Sequence, residues 1–438
     1  MAFATADLLQ TLQDLPEPGG YLLAYSGGLD SHVLLHALAG LRDRLDRPVR
    51  AIHLHHGIQA EADRWQAHCE ATCAGLQVPL AVKELALQPA PGESLEAMAR
   101  EARYRAIAGH LQAGEMLLTA QHQDDQAETL LLQLLRGAGV EGLAGMPLCR
   151  AWRGGWQARP LLSFTRQELL AYAQDQALRW VEDPSNQDQR FDRNYLRHSV
   201  MPVLRARWPS AGQTLARSAS HLANAAGLVR QVAAADLRDC TAGHGCLSVA
   251  ALLELPVTRR HAVLREWVRA HARPLPDQAR LLEIERSVLH ASLGSSPEVS
   301  WAEVRLRRYR DLLWLTPLHE SPGRFAAIPW PDQDSLSLPA GGALRREAAA
   351  EGVPARYWKE GRVEVRWRSE GIRCQPSGRQ GSRSFKKLCQ ELGIPPWQRD
   401  RVPLVYVDER LVAVADYCLC GEFETGGQDA CYRLHWQN

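Results

Sequence analysis

The chain has 438 residues, 45% of them hydrophobic and 23% charged. That length predicts two to four domains, and that apolar fraction excludes a mainly disordered chain. The formal net charge of +1 hides an asymmetry: residues 1–200 carry 18 basic against 24 acidic side chains, and the remaining 238 carry 33 against 26.

The opening residues contain Asp7 and Asp14 and no basic stretch, so no secretory leader is expected. No run of about 18 uncharged apolar residues follows, so no membrane helix is expected and the chain reads as cytoplasmic. Short apolar runs over 21–25, 49–55, 78–85, 116–122 and 156–162 alternate with helical spacing over 31–45, 60–75, 94–111 and 124–136. This alternation predicts an α/β fold with a doubly wound parallel sheet, whose ligands bind at the carboxyl ends of the strands. A helix is expected over 165–176, a polar stretch over 183–189, and further helix to about 204. Helices are then expected over 215–237, 257–271 and 276–290, followed by a hairpin over 299–306 and 309–315. Residues 317–342, rich in Pro and Gly, read as a linker, and a second hairpin is expected over 404–407 and 411–415. The organisation is therefore a catalytic α/β domain over 1–208, a mainly helical domain over 209–318 and a small basic α+β domain over 340–438.

The strongest local signal is the turn Ser26, Gly27, Gly28, Leu29, Asp30 and Ser31, directly after the first strand and opening a helix. Glycines there can take positive φ and admit a phosphate, backbone N–H groups close around it, and the helix N-terminus favours its charge. Asp30 beside phosphate makes sense as a Mg²⁺ ligand. No G-x-x-x-x-G-K-[ST] occurs, which excludes a Walker-type NTPase. The G-x-G-x-x-G over 137–142 follows a helix, not a strand, and reads as a helix end. At the end of the fourth strand, His122, Asp124, Asp125 and Glu128 open a helix. Asp125 and Glu128 share one face, suited to Mg²⁺ and to a cationic amine. Arg100 and Arg103 share a helical face, and Arg136, Arg193 and Arg197 follow. The histidines at 53, 55 and 56 lack the spaced partners of a zinc site. The ten cysteines show no C-x-x-C and read as reduced thiols.

Together these segments resemble the tRNA(Ile)-lysidine synthases, members of the PP-loop ATP pyrophosphatase superfamily. The likeness covers the S-G-G-x-D-S loop, H-H-G-I, E-x-x-x-R-x-x-R-Y, H-x-D-D-Q-x-E-T-x-L-L-x-L-x-R-G-x-G, D-x-S-N…D-R-N-x-x-R and the tail from Cys374 to Asp400. Gln121 and Gln123 depart from the usual pattern and stay outside the catalytic set. The resemblance implies ATP-dependent transfer of free L-lysine to C2 of the wobble cytidine in the CAU-anticodon isoleucine tRNA, with adenylation of the C2 carbonyl oxygen and release of AMP and pyrophosphate. It implies ATP binding by Ser26, Gly27, Gly28, Leu29, Asp30 and Ser31, and catalytic roles for Asp30, Asp125 and Glu128. Asp30 and Asp125 would hold Mg²⁺, and Glu128 would hold the lysine ammonium. Arg100, Arg103, Arg136, Arg193, Arg197, Lys386 and Lys387 are candidate RNA contacts. No protein partner is implied, and a homodimer is left open.

Two features of composition fit that chemistry. Only one of four lysines lies in the first 350 residues, so the enzyme would supply no lysine of its own. Residues 345–401 hold 14 basic against 7 acidic side chains, interleaved with Tyr357, Trp358, Trp367 and Trp397, and Arg305, Arg307 and Arg308 add a further cluster. Such a surface neutralises phosphates and stacks on bases. The competing reading is a PP-loop tRNA thiolation enzyme, against which the missing paired cysteines count.

Overall fold

The computed structural model describes residues 3–55, 61–85, 95–292, 294–318, 325–339, 341–379, 381–421 and 430–437. The chain divides into two compact units, Met1–Val229 and Arg230–Asn438.

The first unit is built on a six-stranded sheet: β1 (Gly20–Ala24), β2 (Val49–His55), β3 (Leu80–Glu84), β4 (Glu115–Leu118), β5 (Cys149–Trp152) and β6 (Gly155–Ala158). Their order is β3-β2-β1-β4-β6-β5, and every neighbouring pair is parallel except β5 with β6. The sheet is doubly wound because its central strand is apolar on both faces. Leu23 packs into one layer with Val33, Leu34 and Leu38 of the helix Leu29–Gly40, whereas Leu22 packs into the other with Ile52, Ile107 and Leu117. Alternation of side chains along a strand sends neighbours to opposite layers. The helix Leu29–Gly40 is correspondingly apolar nearly all round, with eight of its residues buried.

The strands β1 to β4 and β6 fall within or beside the expected runs, although β4 stops at Leu118, short of the expected 122. The antiparallel β5 and the N-terminal helix Thr5–Gln13 are not among the expected elements: β5 has four residues with little alternation, and the helix, although its leucines fall on one face, has only nine. Thr5–Gln13 buries Leu8, Leu9 and Leu12 against the same core as Leu23. The segment 137–142 does end a helix. Gly137, at φ 68°, donates to the Leu134 carbonyl, and Ala138 donates to Gln133, which satisfies the last carbonyls.

The second unit contains two hydrophobic cores. One joins the helices Val257–Ala270 and Gln278–Ile284 to an antiparallel sheet through Trp267, Leu281, Ile284, Val304 and Leu313. The other gathers Trp330, Trp358, Val365, Leu388 and Val405, with Trp330 and Trp358 edge to face at 5.3 Å. Short strands Ile328–Pro329 and Ser335–Ser337 occupy part of the stretch expected to be linker, and both pair into sheets. Cys374 and Cys420 form a disulfide, contrary to the expectation of reduced thiols throughout. Among the described residues no helix is long and apolar enough to cross a membrane.

A buried histidine in the first unit gives the fold a testable acid sensitivity. His32 lies edge-on to Tyr25 and beside His68 and His36; burial, then the two neighbouring imidazoles, lowers it to about 4. It is neutral in the folded chain, while an unfolded chain binds the proton below about pH 6.5. Stability is therefore lost as pH falls through the window from about 6.5 to about 4, and the loss stops growing below it. His36 and His68 are also lowered by burial and act in the same direction. His32→Gln is expected to flatten the fall in urea midpoint across that window, and an unchanged slope would assign the acid sensitivity elsewhere.

Candidate active site

The strand order places β1 at the sheet centre with β2 on one side and β4 on the other, so the connections leave in opposite directions at the carboxyl ends of β1 and β4. That divergence opens a crevice. A cleft of about 1460 Å³ lies there, lined by the 26–31 loop, by Asp124, Asp125 and Glu128 and by Arg193 and Arg197.

The loop after β1 is tied by its own hydroxyls. Ser26 Oγ and Ser31 Oγ are 3.0 Å apart, Ser31 Oγ donates to the Gly28 carbonyl at 3.0 Å, and the Gly28 N–H donates to Ser26 Oγ at 3.3 Å. Positive φ is needed only at Gly27, at 80°; Gly28 is extended and precedes the helix. A Cβ on Gly27 would also meet Cys69 Sγ and a Val181 methyl at 2.9 Å. Gly27 is thus fixed by conformation and by close approach, while at Gly28 no positive φ requires glycine. The loop leads into the N-terminus of a 12-residue helix, whose dipole favours an anion.

Opposite the loop, the helix Gln123–Leu135 begins with a capping box. The Asp125 carboxylate accepts from the His122 N–H at 3.1 Å. His122 was not singled out for a role from the sequence, yet it stands at the centre of the acids. Its Nε2 is 3.6 Å from Asp30 and 3.5 Å from Asp125, and its Nδ1 is 3.6 Å from Asp124. Burial lowers its affinity for a proton, but Asp125, Asp30 and Asp124 together outweigh burial and raise it above the ordinary range. The signal available beforehand was its position, one residue before an acidic helix start at a strand end.

Behind this group Glu128 is buried, and its carboxylate accepts two hydrogen bonds from Arg197, at 2.8 and 2.9 Å. Arg197 also donates to Asp125 at 2.9 Å. Arg193 places Nε 3.6 Å from Glu128 and donates to Thr129 Oγ1 at 2.7 Å. Burial opposes the charge on Arg197, but its fork contact with Glu128, reinforced by Asp125 and Asp30, keeps it protonated at any ordinary pH. Arg193 and Arg197, expected at RNA, thus sit against the acids, and Glu128, expected at a lysine ammonium, is satisfied by guanidinium. Asp124 accepts from the Arg166 N–H at 2.7 Å and pairs with Arg205.

The remaining expected contacts are dispersed. Arg103 is exposed at the cleft edge, and Arg136 is exposed and 3.9 Å from Asp192. Arg100 lies on the helix Leu95–Ala108, with its side chain outside the described residues, as are His56 and the segment after it to 60. Lys386 and Lys387 are exposed on the helix Phe385–Glu391 in the second unit. Of the arginines at 305, 307 and 308, Arg308 is buried and donates to the Val288 and Leu289 carbonyls, a structural task; Arg307 pairs with Glu298 at 3.1 Å. Trp358 and Trp367 are core residues, while Trp397 is half-buried beneath the Arg307 guanidinium at 4.8 Å.

Asp30 Oδ1 is buried without a hydrogen-bond partner among the described residues, and Asp125 converges on the same imidazole. Two carboxylates beside a phosphate cradle fit Mg²⁺, which keeps most of its shell for water and substrate phosphates.

A mostly parallel sheet with a glycine turn at its switch point and acids across the crevice is the architecture of the PP-loop ATP pyrophosphatases. Residues 3–204 match the PP-loop domain, residues 247–314 the TilS substrate binding domain and residues 363–436 the TilS substrate C-terminal domain. The tRNA(Ile)-lysidine synthase of Coxiella burnetii is 41% identical over 429 residues, covering 98% of this chain and 95% of its own. That of Alkalilimnicola ehrlichii is 44% identical over 417 residues, covering 93% and 92%. The chain belongs to the tRNA(Ile)-lysidine synthase family. Among solved structures, a U34-tRNA thiolase from Methanococcus maripaludis is similar over 50% of this chain and 78% of its own, at 16% identity and a TM-score of 0.42.

Proposed function

We propose that the cleft joins free L-lysine to the wobble cytidine of an isoleucine tRNA with a CAU anticodon, using ATP held at the 26–31 loop. As a member of its family the chain is a tRNA(Ile)-lysidine synthase, an ATP-dependent ligase that forms a carbon–nitrogen bond. The observation that carries the site assignment is the convergence of Asp30 and Asp125 on His122 across the crevice.

In this reading Ser26, Ser31 and the backbone around Gly27 and Gly28 receive the phosphates. The cytidine C2 carbonyl oxygen attacks the α-phosphorus and pyrophosphate leaves. The lysine ε-amine then attacks C2 and AMP leaves. The chain mainly aligns an in-line displacement at phosphorus and then an addition of the amine to C2 with elimination of AMP, and it balances charge, so it needs no nucleophile of its own. Asp30 and Asp125 would hold Mg²⁺, which supplies charge neutralisation at the phosphates when bound. The ammonium must lose a proton before it attacks, and a carboxylate of the acidic lining accepts it. That lining includes Asp30, Asp124, Asp125, Glu182 and Asp183, which suits a cationic amine. Glu128 acts here as a positioning residue, holding Arg197 against Asp125. Arg103, Arg136, Lys386 and Lys387 serve the polyanion, with the domains over 209–318 and 340–438 as its binding surface.

The thiolation alternative needs an accessible, ionisable sulfur near the loop. Cys69 packs against Gly27, and Cys73 lies one turn further along the same helix; burial pushes them to about 12 and about 11, so both stay protonated and inert. The deciding experiment supplies ATP, Mg²⁺, labelled lysine and an isoleucine tRNA transcript with a CAU anticodon, with methionine tRNA as control. Label is expected in the isoleucine tRNA, with matching AMP release. Label in neither RNA, from folded protein, would end the reading.

A further inference from the structure

Outside the cleft, one group of three donor side chains converges among the described residues: Cys374, Cys418 and Cys420, whose sulfurs all lie within 4.8 Å of one another. Cys374 ends the short strand Arg373–Cys374, and the strand Cys418–Leu419 runs directly into Cys420. Residues two apart in extended chain face the same side, so Cys418 and Cys420 present their sulfurs together. Backbone hydrogen bonds hold the two segments side by side: Gly421 N–H donates to Gln375 at 2.7 Å, and Ser377 N–H donates to Leu419 at 3.0 Å. Cys374 and Cys420 are buried, and Cys418 is half-buried.

A disulfide between Cys374 and Cys420 uses two of these sulfurs and leaves the third without a task. Tetrahedral zinc uses all three. A zinc–sulfur bond of about 2.3 Å sets its ligand sulfurs about 3.8 Å apart, within reach of atoms already inside 4.8 Å. We propose that the reduced chain binds one borderline-soft divalent cation, zinc in type, through Cys374, Cys418 and Cys420, with the fourth position open on the half-exposed side.

The chemistry balances with a thiol reductant of the glutathione or dithiol class. Two electrons and two protons convert the disulfide to two thiols, and the reductant leaves as its own disulfide. The cation then displaces three thiol protons. Burial, with the neighbouring Cys389, pushes the free Cys418 thiol up to about 11, with Arg379 opposing, so at neutral pH ligation and not the protein alone must ionise it. Arg379 also offsets part of the negative charge that three thiolates bring. The clip would close the segment from Cys374 to Cys420, 46 residues apart, which includes Lys386 and Lys387. Metal that binds only the folded chain stabilises it.

The test uses the full chain, reduced, exchanged into glutathione buffer and titrated with Zn²⁺. About one zinc per chain is expected by elemental analysis. Zinc should protect Cys374, Cys418 and Cys420 from alkylation, mapped by peptide mass spectrometry, while the half-buried Cys149 stays reactive. Cys418→Ser should weaken zinc binding about tenfold or more, and Cys149→Ser should not. A disulfide that survives the reducing buffer, a reduced chain that takes up no zinc, or zinc uptake without protection of these three thiols would each overturn the proposal. Protection is read on the unsubstituted chain, so the outcome does not depend on a variant folding.

Discussion

Replacing Arg197 with methionine is expected to destabilise the first unit by about 3–5 kcal/mol, the cost of leaving one member of a buried ion pair without its partner. Glu128 is 2% exposed, and its two hydrogen bonds from Arg197 are the shortest contacts it makes with a cation. Arg193 remains, but at 3.6 Å and through one nitrogen. Asp125 loses its 2.9 Å contact in the same step. The thermal midpoint should fall by about 10 °C for a unit of this size. The double change Arg197→Met with Glu128→Gln removes both charges and should recover most of the lost stability, because the desolvation penalty disappears with the pair. Activity should not return with it, since Asp125 then loses the guanidinium and keeps only its contacts with His122. If the single change costs less than about 1 kcal/mol, the pair is not the buried strut described above.

What the sequence could reveal of this site follows from how local each part is. The 26–31 loop was legible because strand, glycine turn and helix start are contiguous, and the alternation around it was enough to place the parallel strands. Asp125 and Glu128 were legible as a pair because residues three apart on a helix share a face. Their partners were not. Arg197 reaches Asp125 across 72 residues and Glu128 across 69, and Arg193 reaches Thr129 across 64. No local pattern separates a guanidinium that binds phosphate from one that binds a buried carboxylate. His122 was hidden for a related reason. A lone histidine before an acidic turn reads as a cap until the β1 loop brings Asp30 to its other nitrogen. In the second unit, Arg308 read as part of a basic surface because strand alternation fixes which side faces inward only once the sheet's partner is known. The disulfide had no sequence signal, since Cys374 and Cys420 are 46 residues apart and meet only where an isolated antiparallel bridge joins Pro376 to Cys420.

The largest catalytic effect is expected at the two carboxylates that face His122 Nε2. Asp30→Asn and Asp125→Asn each keep shape and remove charge, and each should slow tRNA-dependent AMP formation by about 10³-fold, as loss of one preorganised electrostatic contact does elsewhere. Binding of the tRNA should persist, because the basic residues over 340–438 proposed to bind it belong to the second unit and are unchanged. The two changes should also separate. Asp30 stands in the loop proposed to receive the phosphates and has an oxygen with no hydrogen-bond partner among the described residues, so its loss should weaken ATP binding as well as the chemical step. Asp125 is held by Arg197 and by the His122 N–H, so its loss should fall mainly on turnover. Equilibrium binding of a non-hydrolysable ATP analogue, beside AMP and pyrophosphate release, distinguishes the two. A variant that retains more than about a tenth of the parent rate would remove its residue from the catalytic set. If both retain it, the imidazole and the arginines of the cleft must carry the charge balance that the two acids were assigned.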